Sequence, residues 1–137
     1  MYSGKNIRVL IAGDSPAVLQ SICDFLERVG GFDIVATASD GQNAVELATA
    51  HRPDLVLLDL TMPRLGGLAA ARQIRQLSRS LKMIIFSGLS GSQLADECRR
   101  FGADSFVHKD NLPDSLLLEI DRLFAPGAHA LPRLRAN

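Results

Sequence analysis

The chain is 137 residues long, 47% hydrophobic and 22% charged, with 15 basic and 15 acidic side chains that cancel to a formal net charge of zero. A length of this order is one domain with enough apolar material for a core, and zero net charge supplies no global field for nucleic acid or anionic lipid. No apolar run approaches the length of a membrane span and residues 1–6 lack the pattern of a secretory leader, so a cytoplasmic protein with no direct nucleic-acid or membrane partner is expected.

In chain order, Ile7-Arg8-Val9-Leu10-Ile11-Ala12 is a β-branched apolar run and predicts a first strand. Ser15-Pro16 supplies an N-cap and a proline at the first helical position. Val18, Leu19, Ile22, Phe25, Leu26 and Val29 then recur at helical spacing until Gly30-Gly31 stops the helix. Residues 32–38 predict strand two. Asp40-Gly41 opens a second helix with Ala44, Val45 and Ala48 inward, ending near His51 ahead of Pro53. Residues 53–60 are an almost unbroken apolar run, as expected of a strand buried on both faces of a parallel sheet. It delivers Asp59 at its carboxyl end, and Met62-Pro63 stops it.

A loop over 63–67 leads into a third helix through Ala69, Ile74 and Leu77, and residues 82–87 predict strand four. After a loop over 88–91, Leu94, Ala95 and Cys98 mark helix four. Residues 105–108 make a short strand five ended by Lys109, and helix five starts near Pro113 and uses Leu116, Leu117, Ile120, Leu123 and Phe124. Cys23 and Cys98 lie in separate helical patterns without metal spacing, and both are expected to be buried thiols in a reducing compartment. His51, His108 and His129 are unclustered and read as helix-end, strand and tail residues. Five strands alternating with five helices predict an α/β domain over 1–125, a doubly wound parallel sheet covered on both faces. Residues 126–137 carry chain breakers and no periodicity and are expected to form a flexible tail.

The polar residues at strand ends carry the chemistry. Asp14 follows strand one, Asp59 closes strand three, Ser87 closes strand four and Lys109 follows strand five. All four fall on the edge of a parallel sheet where open α/β folds bind ligands. If the strand order is 2-1-3-4-5, Asp14 lies beside Asp59. Two carboxylates about 4 Å apart repel by roughly 4 kcal/mol at an effective dielectric of 20, so one takes up a proton unless a cation sits between them. Lys109 is one candidate and a divalent ion is the other; oxygen ligands without nearby His or Cys favour Mg²⁺ over zinc. An ionised carboxylate, Mg²⁺, a lysine and a hydroxyl are the parts phosphoryl transfer needs, with Asp59 attacking.

Over about residues 6–124 the chain resembles the receiver domains of two-component response regulators. The matching motifs are Leu58-Asp59-Leu60-Thr61-Met62-Pro63 with Gly66-Gly67, then Ile85-Phe86-Ser87-Gly88, then Gly102-Ala103-Asp104-Ser105-Phe106-Val107-His108-Lys109. The resemblance implies a flavodoxin-like five-stranded parallel sheet in order 2-1-3-4-5, and acceptance of a phosphoryl group from the phosphohistidine of a sensor histidine kinase or histidine phosphotransfer protein. It implies Asp59 as the acceptor, Ser87 as the hydroxyl switch residue, Phe106 as the switch aromatic and Lys109 as the phosphate-binding lysine. Asp14, Asp59 and the backbone carbonyl of Thr61 are the implied Mg²⁺ ligands. The implied output face is helix four, strand five and helix five, which binds an output protein or a second copy. Such a protein assists its own phosphorylation and dephosphorylation rather than working as a conventional enzyme. Lys109-Asp110 is similar to receivers of DNA-binding regulators, although a free-standing receiver without a DNA-binding domain is expected.

There is one departure. The family usually has two acids after strand one, and this chain has Gly13-Asp14. Asp14 matches the acid that touches the metal directly; the missing one acts through water, and losing such a partner typically weakens a metal by roughly 10–100-fold. Weak Mg²⁺ binding is expected. In the family the residues two beyond the acceptor and two beyond the hydroxyl tune water access, here Thr61 and Leu89, and apolar Leu89 implies slow self-hydrolysis. Gly13 also leaves open a receiver-like interaction module that works without phosphorylation. Other α/β enzymes fit poorly: Ala12-Gly13-Asp14-Ser15-Pro16-Ala17 is not a dinucleotide-binding G-x-G-x-x-G, no G-x-x-x-x-G-K-[ST] is present, and haloacid-dehalogenase-type hydrolases carry a second Asp where Thr61 stands.

Overall fold

Five parallel strands form one sheet, with the second strand of the sequence at one edge followed by the first, third, fourth and fifth. The computed structural model describes residues 6–89 and 91–124. The strands are β1 (Ile7–Ala12), β2 (Phe32–Ala38), β3 (Leu55–Asp59), β4 (Lys82–Ser87) and β5 (Ser105–His108). The helices are α1 (Pro16–Val29), α2 (Gly41–His51), α3 (Gly67–Leu77), α4 (Ser92–Arg100) and α5 (Asp114–Phe124). The expected topology is the observed one. The tail expected over 126–137, with His129, lies outside the described residues.

Alternation along the strands splits the apolar residues between two cores. Val9, Ile11, Leu55, Leu57, Ile84 and Phe86 face α1 and α5. Leu10, Ala12, Val56, Leu58, Met83 and Ile85 face α2, α3 and α4. With period two, a strand covered on both faces is apolar at every position, which is why every residue of β3 is buried. Each fully buried Leu or Ile contributes about 1.5–3 kcal/mol of transfer free energy, so the central strands are hard to shift and their carboxyl ends are fixed points.

The helix ends follow the sequence. The Ser15 hydroxyl accepts the Val18 N–H with Pro16 in the first turn, and Asp40 accepts the Asn43 N–H. Gly67 opens α3 against the end of β3, where an added Cβ would lie 2.5 Å from the Asp59 carbonyl oxygen. Helix α5 starts at Asp114, next to the expected Pro113, after a 3₁₀ turn (Lys109–Asn111) that was not expected. Two expectations need correction. The third helix begins two residues earlier than its apolar pattern, because Gly67 donates its N–H to the Leu60 carbonyl and closes the loop there. Cys98 is buried but Cys23 is only half-buried, since the inward stripe of α1 is Ile22, Phe25 and Leu26 and Cys23 stands at its margin. Burial pushes both thiols above their ordinary pKa, with nearby Glu27 and Asp24 adding to the effect at Cys23 and Glu97 at Cys98.

The amino-terminal edge of the sheet is closed by a polar network. Arg75 donates through Nε to the Gly102 carbonyl at 3.0 Å, through one terminal nitrogen to the Leu81 carbonyl at 2.7 Å, and through the other to Asp104 Oδ2 at 2.8 Å. The same Asp104 oxygen accepts the Met83 N–H at 2.9 Å. Gly102-Ala103-Asp104 thus closes the polar groups where β4 and β5 begin.

Candidate functional site

At the carboxyl edge the sheet register sets the neighbours. Asp59 pairs with Phe86, Ser87 pairs with His108, and Ala12 pairs with Leu58. Asp59, Ser87, Lys109 and the turn Gly13-Asp14 therefore gather at one edge, as expected from their places after the strands.

Asp59 is 1% exposed, and its two carboxylate oxygens differ. Oδ1 accepts the Thr61 N–H at 3.1 Å. Oδ2 lies 3.0 Å from Lys109 Nζ, yet it is a buried side-chain oxygen with no well-directed hydrogen bond. The two facts agree if the ammonium acts as a counter-charge while its N–H bonds point elsewhere. Lys109 also stands 5.9 Å from the centre of the Phe86 ring. A buried acceptor left open costs free energy, so its presence marks a place where a ligand is expected.

Gly13 supplies the room beside that oxygen. A Cβ at position 13 would lie 3.5 Å from Asp59 Oδ2, 3.4 Å from Asp59 Cβ and 3.3 Å from the tip of Leu19. Asp14 follows at the same edge and is exposed. Among the described residues no three His, Cys, Asp or Glu side chains gather closely enough to hold a metal by themselves. Mg²⁺ usually binds through one or two carboxylates and keeps several waters, so an all-oxygen set of Asp59 and Asp14, with the orphaned Oδ2 among its donors, suits that ion and not one that needs a full protein cage.

Ser87 is buried at the end of β4, and its hydroxyl accepts the Leu89 N–H at 2.9 Å, leaving its own O–H to donate. Phe106 is half-buried and packs on the core beneath α2, α3 and α4. Sequence reasoning passed over two side chains. His108 spans from the Gly88 carbonyl (Nε2, 3.0 Å) to the Asp110 N–H (Nδ1, 3.1 Å), tying the loop after Ser87 to the turn that carries Lys109. Because Nδ1 accepts, the hydrogen-bond pattern assigns the ring proton to Nε2. The second is Arg64, whose guanidinium reaches the buried Asp40 carboxylate. Asp40-Gly41 was legible as a helix start, but nothing in the local sequence joins it to Arg64.

Comparison with known proteins decides the family. The response regulator receiver domain model matches residues 9–121. The chain belongs to the receiver domain family. This receiver is 33% identical to the chemotaxis protein CheY of Bacillus subtilis over 84% of its own length and 95% of that protein. It is 31% identical to the nitrate/nitrite response regulator protein NarL of Escherichia coli over 85% of its length, and spans about half of that longer protein, 54%. Among solved structures, a chain of the CheX–CheY–BeF₃–Mg²⁺ complex from Borrelia burgdorferi matches with a TM-score of 0.83 at 30% identity, covering 89% of this chain and 92% of that one. No helix among the described residues is long and apolar enough to cross a membrane.

Proposed function

We propose that this receiver takes a phosphoryl group on Asp59 from the phosphohistidine of a sensor histidine kinase or histidine phosphotransfer protein. The observation that carries the reading is the buried Asp59 carboxylate with one open oxygen 3.0 Å from a lysine ammonium. A carboxylate oxygen attacks phosphorus, an acyl–O–P bond forms, the donor P–N bond breaks, and its electron pair returns to the imidazole. Lys109 offsets charge on the transferring oxygens, and the Ser87 hydroxyl turns from Leu89 to donate to one of them. Mg²⁺ held by Asp59, Asp14 and the Thr61 carbonyl would neutralise charge on the same oxygens.

Loss of the outer acid at position 13 makes that Mg²⁺ binding weak. A shallow groove of about 500 Å³ beside Lys109, walled by Val18, Ile22, Phe25, Leu112 and Pro113, offers the donor an apolar seat next to the acceptor. Phosphorylation draws Ser87 inward and lets Phe106 follow, biasing two pre-existing forms of the α4–β5–α5 face. Leu89, two residues beyond the hydroxyl, keeps self-hydrolysis slow, so the phosphoryl group persists beyond seconds.

The test is phosphotransfer to wild type and Asp59→Asn, read by intact mass. Wild type gains one phosphoryl group and the variant gains none; an unmodified wild type with an active donor sinks the reading. One observation favours a second reading. Gly13, where the family usually has a second acid, suits an interaction module that signals without phosphate. Acetyl phosphate and beryllofluoride, each with and without Mg²⁺, separate the two: the module responds to neither.

A further inference from the structure

Arg64 stands in the loop between β3 and α3 with φ 59°, a left-handed backbone that a residue with a Cβ adopts at a cost. Such strain persists where the surroundings hold it, and here they are identifiable. Arg64 Nε and one terminal nitrogen donate to the same oxygen, Asp40 Oδ2, at 3.1 and 2.8 Å. The other oxygen, Oδ1, accepts the Asn43 N–H at 2.7 Å and caps α2. One carboxylate, 4% exposed, thus serves a helix end and a loop together.

The neighbours of Arg64 are fastened to the same helix end. The Pro63 carbonyl accepts the Gly41 N–H at 3.4 Å. Leu65 lies so close to Gly41 that any Cβ there would overlap the Leu65 carbonyl. Three consecutive loop residues are therefore seated on the start of α2. On the acceptor side, the Thr61 N–H donates to Asp59 Oδ1, and Gly67 closes the loop on Leu60. The span left between these two anchorages is Thr61-Met62, which holds the carbonyl assigned above to Mg²⁺. The Asn43 N–H, and after it the Arg64 guanidinium, hold the Asp40 carboxyl below the usual carboxylate range, so it is ionised at neutral pH and able to keep Arg64.

We propose that Asp40 and Arg64 are positioning residues for the cation site: their clasp, 24 residues apart in sequence, sets the loop so that the Thr61 carbonyl faces the open oxygen of Asp59. The inference rests on the Mg²⁺ site proposed above. Arg64 touches neither acceptor nor metal and acts through the loop. A turn alone would be served better by glycine, which takes the left-handed conformation without strain. That contrast makes Arg64→Gly the informative variant, because it relieves the backbone while removing the side chain that makes the clasp.

The experiment is a Mg²⁺ titration of the ¹⁵N-labelled chain followed at the Asp59, Thr61 and Met62 amides, with urea unfolding measured on each variant. The expected result is that Arg64→Gly weakens Mg²⁺ about 10-fold, the lower end of the range for groups that orient metal ligands, while urea unfolding shows a cooperative transition and a folded chain throughout the titration. Asp40→Ser keeps a helix cap and loses the same affinity, while Arg64→Lys restores part of it. Wild-type affinity in Arg64→Gly overturns the clasp and leaves the phosphoacceptor reading intact. Absence of saturable shifts in the wild type removes the metal site and the clasp together.

Discussion

Two carboxylates at opposite edges of the sheet show how one fold separates stability from chemistry. Asp104 Oδ2 takes both an Arg75 guanidinium and the Met83 N–H, and Arg75 spends its other nitrogens on the carbonyls of Gly102 and Leu81. Asp59 Oδ2 is more deeply buried, has a lysine beside it, and receives no well-directed hydrogen bond. The first edge is closed, with its polar groups answering one another. The second is left open at one atom, and that atom is where a ligand is expected. Buried polar groups are stabilising when fully satisfied and costly when not, so opposite responses to mutation are expected at the two edges.

The largest difference should come from Arg75→Ala, which removes several charge-assisted hydrogen bonds at once and leaves Asp104 without its partner. A loss of about 3 kcal/mol is expected, measured as a lower urea midpoint at unchanged slope. A variant within 1 kcal/mol of wild type would break the comparison, with 1 kcal/mol taken as the ordinary net worth of one hydrogen bond, about 0.5–1.5 kcal/mol. At the open edge, Gly13→Asp sharpens it. The space there accepts a Cβ once the tip of Leu19 shifts. The added acid should tighten Mg²⁺ about 10-fold, equivalent to about 1.4 kcal/mol, and make the unfolding midpoint rise with Mg²⁺ more steeply than in wild type. Unchanged Mg²⁺ affinity would show that Gly13 has no part in the metal site.

Asp59→Asn should be smaller and of opposite sign to Arg75→Ala. Removing an incompletely satisfied buried charge is expected to raise stability by about 1 kcal/mol while abolishing phosphoryl uptake, both read on the same sample. The smallest effect concerns acid. The folded Asp40 carboxyl titrates below its unfolded value of about 4. Its contribution to stability is therefore complete above that value and is lost as pH falls through the folded one. Urea midpoints compared between pH 5 and 3 should fall less in Asp40→Ser than in wild type.

What the sequence disclosed follows from burial. A strand covered on both faces has to be apolar at each position, so 55–58 announced itself, and a charge at its end could only be Asp59. Ser87 and Lys109 were legible for the same reason, since each closes or follows an apolar strand. The motifs shared with receivers then gave these residues roles that spacing alone does not. The clasp and the His108 bridge were hidden because they depend on tertiary geometry. Arg64 meets Asp40 only through a left-handed turn, and His108 meets Gly88 only because the register sets it opposite Ser87. Cys23 misled because helical spacing does not distinguish the middle of a buried stripe from its border. The 3₁₀ turn escaped because three residues are too few to show a period.

Gly67 gives the molecule a second route to inactivity. Its α-carbon faces the Asp59–Leu60 peptide, so one added methyl group has to displace the Asp59 carbonyl or lift the first turn of α3. A saturation library sorted for phosphoryl uptake should therefore show an empty column at position 67 beside the one at 59. Sorted for abundance, the same library would keep substitutions at 59 and still reject those at 67, separating a reactive centre from the floor it stands on.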